Sequence, residues 1–125
     1  MQTSTRILGI ATILVLAGQT ALPLRAGQSN SLMDISRDGR LLACTNRDSG
    51  TVTIVDLKSH QKQAEFSVGK KPEGLTFLGA SHKLAVAVYG NDQVVFWDAD
   101  TAKQLGATQV FDEPYGSVSN DTGDR

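Results

Sequence analysis

Cysteine is nearly absent from this chain: Cys44 is the only one among 125 residues. No intrachain disulfide can form, whatever the redox state of the compartment. No Cys-x-x-Cys-His string occurs, which excludes covalent haem attachment within these residues. An excess of one charge is missing too. Twelve basic residues face 13 acidic ones, and Lys70-Lys71 is the only adjacent basic pair. That balance gives no reason to expect nucleic acid or an anionic membrane surface as partner, and Lys70-Lys71 is read as a solvated loop tip. The two histidines, His60 and His82, fall in expected turns and lack a third ligand, so no metal is expected. No apolar run approaches the roughly 20 residues that span a bilayer.

What is present begins with an export segment. Arg6 supplies a positive start, Ile7 to Ala17 is an apolar run, and Leu24-Arg25-Ala26 offers a small residue before a cut. Residues 1–26 therefore read as the helix of a secretory signal peptide. An uncleaved anchor is the alternative, because Leu24 is a poor −3 residue. Gln19 follows Leu16-Ala17-Gly18 where a lipidated cysteine would stand, which argues against lipidation. With the segment removed, no stable membrane insertion is expected, and the product is periplasmic or extracellular.

Residues 27–31 form a polar linker without periodicity. Beyond it, short β-branched or alternating runs alternate with polar turns. Expected strands are Leu32 to Ile35, Leu41 to Thr45, Thr51 to Asp56 and Gln63 to Val68, then Leu75 to Phe77, Lys83 to Val88, Gln93 to Trp97 and Gln104 to Val110. The second four repeat the first at a period of 42 residues, the spacing from Asp56 to Asp98. Leu42 and Leu84, Ala43 and Ala85, Val52 and Val94, Pro72 and Pro114, and Gly74 and Gly116 also coincide. The reading is all-β, with one unit over 32–73, a second over 74–115 and a third that starts at 116–125. Leu42, Cys44, Ile54, Leu84, Val86, Phe96 and Trp97 are the expected core, with Cys44 an inert buried thiol. Pro72 is expected to break the chain between units, since it donates to no ladder.

Units of this length built from four short strands are the sequence form of β-propeller blades. Val95-Phe96-Trp97-Asp98, followed by Asp100-Thr101 and Lys103, resembles the end of a WD40 repeat. Ser36 to Ala43, Gly50, Val52 to Asp56, and the Pro-x-Gly turns at Pro72 and Pro114 are similar to YVTN-type repeats of exported bacterial proteins. The Gly-His pair common in WD40 repeats is missing. The resemblance implies an incomplete propeller of antiparallel four-stranded blades. It also implies that ligands bind on the face carrying the second-to-third and fourth-to-first strand loops. On that face Arg47, Glu73, Tyr89 and Tyr115 are the side chains best able to make contacts.

Asp56 and Asp98 close strands and are read as structural acceptors for turn amides, and Trp97 as packing between blades. Pro72 and Pro114 are likewise structural. The leading functional expectation is a non-catalytic exported scaffold, without cofactor, that binds a protein or small molecule. The alternatives are the propeller part of an exported lactonase or quinone- or haem-linked dehydrogenase, and a truncated product without function. As about two blades, the chain is also expected to be part of a larger propeller, and alone to be marginal or self-associated through its blade edges.

Overall fold

The computed structural model describes residues 32–124, so the expected signal peptide (1–26) and linker (27–31) lie outside the described residues. Eight strands form two four-stranded antiparallel sheets, each in simple sequence order. The first sheet holds β1 (Met33–Ile35), β2 (Leu41–Asn46), β3 (Thr51–Asp56) and β4 (Gln61–Ser67). The second holds β5 (Pro72–Phe77), β6 (Lys83–Val88), β7 (Gln93–Asp98) and β8 (Lys103–Gln109). Expected and observed strands agree except at their ends. Pro72 does not break the chain there. It opens β5, where the first position of a strand needs no donor, and it pairs with Val88.

The pairing fixes the faces. Ala43 lies opposite Ile54, Thr45 opposite Val52, and Val52 opposite Phe66, so these side chains share one face of the first sheet. In the second sheet Phe77, Leu84 and Trp97 are adjacent across three strands, as are Leu75, Val86 and Val95. Those two faces close on each other in one apolar cluster. Phe66 stacks on Trp97 with ring centroids 4.3 Å apart, and Thr45 Oγ1 donates to the Glu73 carbonyl oxygen at 2.7 Å.

Three expected core residues need correction. Leu42, Cys44 and Phe96 are half-buried, and Leu41, Ala43 and Val95 take the buried positions. Side chains alternate along a strand, so only one face of each sheet reaches the shared core. Leu42 and Cys44 lie on the far face of the first sheet, beside the exposed Met33 and Ile35. Burial still pushes the Cys44 thiol up, away from thiolate chemistry.

The backbone repeats more faithfully than the residues do. Each sheet carries a register shift at the same place, between Ile54 and Val55 and between Phe96 and Trp97. Left-handed residues recur at the 42-residue spacing as Gly50 and Asp92, His60 and Ala102, and Lys71 and Glu113. After β8 the chain lies along β5, with the Tyr115 carbonyl oxygen accepting from Gly74 N at 2.7 Å and Ser119 Oγ donating to the Phe77 carbonyl oxygen at 2.7 Å. It then turns at Asn120–Gly123 as it did at Ser36–Gly39, with the glycine at φ 73° and 71° respectively.

Candidate functional site

Antiparallel order puts the β2–β3 and β6–β7 turns, the β4–β5 connection and the segment after β8 at one end of the sheets. Arg47 leaves β2 there, and its Nε donates to Glu73 Oε1 at 2.5 Å. Glu73 sits where the β5 pairing skips between Pro72 and Leu75, which frees it from the ladder and buries it under the turn. The Glu73 carboxylate holds the Arg47 guanidinium above its ordinary range. The same guanidinium carbon lies 6.0 Å from the centroid of the Tyr89 ring, a cation–π distance worth about 0.5–1 kcal/mol at a half-exposed site. A hydrogen bond to Glu113 raises the Tyr89 phenol, and Glu113 N donates to Asp92 Oδ1 at 3.0 Å.

Arg47, Glu73 and Tyr89 are therefore brought together, and Glu113 joins them. Tyr115 enters this end through its backbone, with a side chain 63% exposed. Glu113 and Asn91, which accepts from Lys70 N at 2.7 Å, carry no residue pattern that marks them in the sequence. Glycine closes the loops on each other. Gly50 has φ 71°, and a Cβ there would run into the Gly69 carbonyl oxygen. Between these loops lies a cleft of about 350 Å³ lined by Arg47, Asp48, Ser49, Gly50, Gly69, Lys70 and Lys71.

The strand-end carboxylates lie at the other end. Asp56 Oδ1 accepts from Ser59 N at 2.7 Å and Lys58 N at 2.9 Å, and Asp98 Oδ1 accepts from Thr101 N at 2.9 Å. The turn amides hold both carboxyls below the usual range, Ser59 first for Asp56 and Thr101 first for Asp98. Pro114 is half-buried at the start of the segment that follows β8.

That end also holds a network the sequence reading missed. His82, read there as a surface turn residue, joins the sheets, with Nδ1 2.7 Å from Asp100 Oδ2 and Nε2 3.1 Å from Asp38 Oδ2. Arg40 Nη2 donates to Asp100 Oδ1 at 2.8 Å, and Phe77 lies edge-on to the imidazole. Burial works to lower the His82 pKa, but the hydrogen bonds and charges of Asp100 and Asp38 outweigh it, and the net shift is upward. A raised histidine contributes stability that is fully present below its unfolded value of 6.5 and is lost as pH rises through the folded value. The Asp38 carboxyl, held down to about 2 by the Ser36 hydroxyl, the Arg40 amide and His82, loses its contribution only in strong acid. The melting temperature should therefore fall as pH is raised from 6 to 8. His82→Gln should flatten that fall, and an unchanged slope in thermal melts of the variant would show that the imidazole does not couple the sheets. Among the described residues no group of three His, Cys, Asp or Glu side chains is arranged to hold a metal ion.

No family model and no curated protein matches the chain. Solved structures do. Hydrazine synthase of Kuenenia stuttgartiensis matches at 26% identity and TM-score 0.64, over 67% of this chain and 24% of that one. The β-propeller domain of Myceliophteria thermophila Cps50 (Swd1) matches at 25% identity and TM-score 0.63, over 74% of this chain and 29% of that one. The RRP9 WD40 repeats match at 24% identity and TM-score 0.60, over 65% and 24%. The chain spans about a quarter of the length of those structures, and what it shares with them is the arrangement of the two sheets.

Proposed function

We propose, for a chain built as two blades of a WD40-type β-propeller, the role of an exported, non-catalytic scaffold that binds a protein or small-molecule ligand across its loop end. One observation carries this reading. Three loops and the β5 bulge converge to fix Arg47 between a buried Glu73 and the Tyr89 ring. Arginine and tyrosine held rigid at a surface are the residue types that dominate binding energy at interfaces. At the turns around His82 the charged groups also pair with one another, but the aromatic ring there, Phe77, is buried in the core, whereas Tyr89 stands half-exposed at the surface of the loop end. Fold alone does not set function, so the assignment rests on this cluster.

Export is part of the proposal, supported by the apolar run from Ile7 and the small-residue site at Ala26. Self-association through the blades is a further part. It is supported by Met33 and Ile35, 63% and 53% exposed, beside half-buried Leu42 and Cys44 on the far face of the first blade.

The test uses the exported protein itself. A photo-crosslinking residue replaces Tyr115 at the loop end in one strain and Lys58 at the opposite end in another. The expected result is a product lacking the first 26 residues by intact mass, with discrete adducts from position 115 and none from position 58. Equal labelling from both ends overturns the loop-end assignment. Retention of Met1 in a cytosolic fraction overturns export. Lactone hydrolysis or quinone- or haem-dependent oxidation by the same preparation replaces the scaffold reading with an enzymatic one.

A further inference from the structure

The cleft between the β2–β3 turn and the β4–β5 connection differs from its repeat in a way that the fold does not require. Its lining contains three cations, Arg47, Lys70 and Lys71, against the single carboxylate of Asp48. Lys70 and Lys71 are exposed, and neither ammonium takes part in an ion pair among the described residues. Shifted by 42 residues, Arg47 becomes Tyr89, Gly50 becomes Asp92, and Lys70-Lys71 becomes Asp112-Glu113. The backbone is the same at these points. Gly50 and Asp92 have φ 71° and 51°, and Lys71 and Glu113 have φ 50° and 55°. Matching left-handed positions thus carry a basic pair in the first blade and an acidic pair in the second, although Gly69 at φ 134° has no left-handed counterpart at Phe111. Chain geometry does not dictate the sign, which leaves it open to recognition.

The lining also indicates which kind of anion fits. A compact oxyanion such as phosphate is held by a concave set of unpaired backbone N–H groups. Here the amides of Gly50, Gly69 and Lys70 in the lining are already used. Gly50 N donates to the Asn46 carbonyl oxygen at 2.9 Å, Val68 N and Gly69 N donate to the Gly50 carbonyl oxygen, and Lys70 N donates to Asn91 Oδ1. What the cleft offers is positive charge on two long, mobile stems above a fixed Arg47 wall. Separated carboxylates on an extended chain match that arrangement better than one small dianion does.

We propose that this cleft docks an extended acidic segment of a protein partner, with Lys70 and Lys71 pairing its carboxylates. The inference rests on the loop end being the binding surface, and it names the chemistry of the partner there. Exposed ion pairs of this kind are weak singly and screened by salt, so binding should be modest and should fade between low and physiological ionic strength.

The probe is a blocked hexaglutamate peptide, titrated calorimetrically into the full exported chain at low salt. Lys70→Asp with Lys71→Glu installs the residues that the equivalent backbone already carries at 112 and 113, and Lys70→Gln with Lys71→Gln serves as a second variant. Lys58→Glu with Lys103→Glu makes the same change in net charge as the first variant at the other end of the sheets. The expected result is about a tenfold loss of affinity in the first variant, a smaller loss in the glutamine variant, and little change in the 58/103 control. Absence of peptide binding to the parent, or equal losses in the 70/71 and 58/103 variants, overturns the proposal. Inorganic phosphate displacing the peptide at equal concentration also overturns it, in favour of a simple anion site. Persistence of the Tyr115-site crosslinks in the 70/71 variant would separate failure of this inference from failure of the binding-scaffold reading.

Discussion

Leu84→Asp should leave the full chain unfolded at room temperature, while Leu42→Asp should leave it folded. The two positions are equivalent, 42 residues apart on the second strand of each blade. Leu84 has no exposed surface and lies between Phe77 on β5 and Trp97 on β7. A carboxylate there has neither water nor a cation to pair with, and the cost is several kcal/mol on top of the lost apolar burial. Domains of this kind are stable by only about 5–15 kcal/mol in total. Leu42 is half-buried, opposite Val55 on β3 and Ile35 on β1, on the face away from the second blade. A carboxylate at that position reaches water and should cost about 1–2 kcal/mol. Circular dichroism with thermal melting checks the pair. If both variants melt alike, the apolar core does not lie between the two sheets as described.

That contrast marks the limit of what the sequence discloses. Strand runs such as TVTIVD and KLAVAV are legible because β-branched and small apolar residues cluster between turn residues, and the order of eight strands follows from them. The choice of face is not legible in a run such as Leu41-Leu42-Ala43-Cys44. Every residue there is apolar, so alternation leaves no mark, and the phase is set only when the second blade arrives. Phe96 and Val95 present the same ambiguity. The paired register shifts are hidden for a different reason: the extra residues are Gln63 on β4 and Leu105 on β8, neither a glycine, and only β8 carries a neighbouring Gly106 that flags the bulge.

At the loop end the sequence yields candidates but not their partners. Arg47, Glu73 and Tyr89 stand out as contact-forming side chains in expected loops. That Arg47 reaches Glu73 depends on the β5 pairing skipping Glu73 and Gly74; the Pro-x-Gly there signals an irregularity, but not that Glu73 turns its side chain toward Arg47. The left-handed positions His60, Lys71, Ala102 and Glu113 are equally opaque, because glycine and asparagine are the residues that ordinarily signal them. His82 was hidden by its place in a turn. Its two carboxylates come from residues 18 and 44 positions away: β6–β7 pairing brings Asp100 to it, and the stacking of the blades brings Asp38.

Trp97 should separate the two terms of its burial. Its ring stacks on Phe66 at 4.3 Å with the planes 13° apart, and the residue is 9% exposed. Its Nε1 is buried and finds no hydrogen-bond partner among the described residues. Trp97→Ala removes the ring from the seam between the blades and should cost about 3–5 kcal/mol. Trp97→Phe keeps an aromatic face against Phe66 and removes an N–H whose unmatched burial costs about 1–3 kcal/mol. Phenylalanine should therefore recover most of the loss that alanine causes, in spite of its smaller volume. Urea denaturation of the full chain reads this directly as the midpoint at unchanged slope. Phe66→Ala, alone and combined with Trp97→Ala, should show a coupling of about 0.5–1.5 kcal/mol, as two stacked rings do. If Trp97→Phe is as damaging as Trp97→Ala, the indole N–H is engaged in a hydrogen bond, and the seam between the blades is held by that bond rather than by the stacked rings alone.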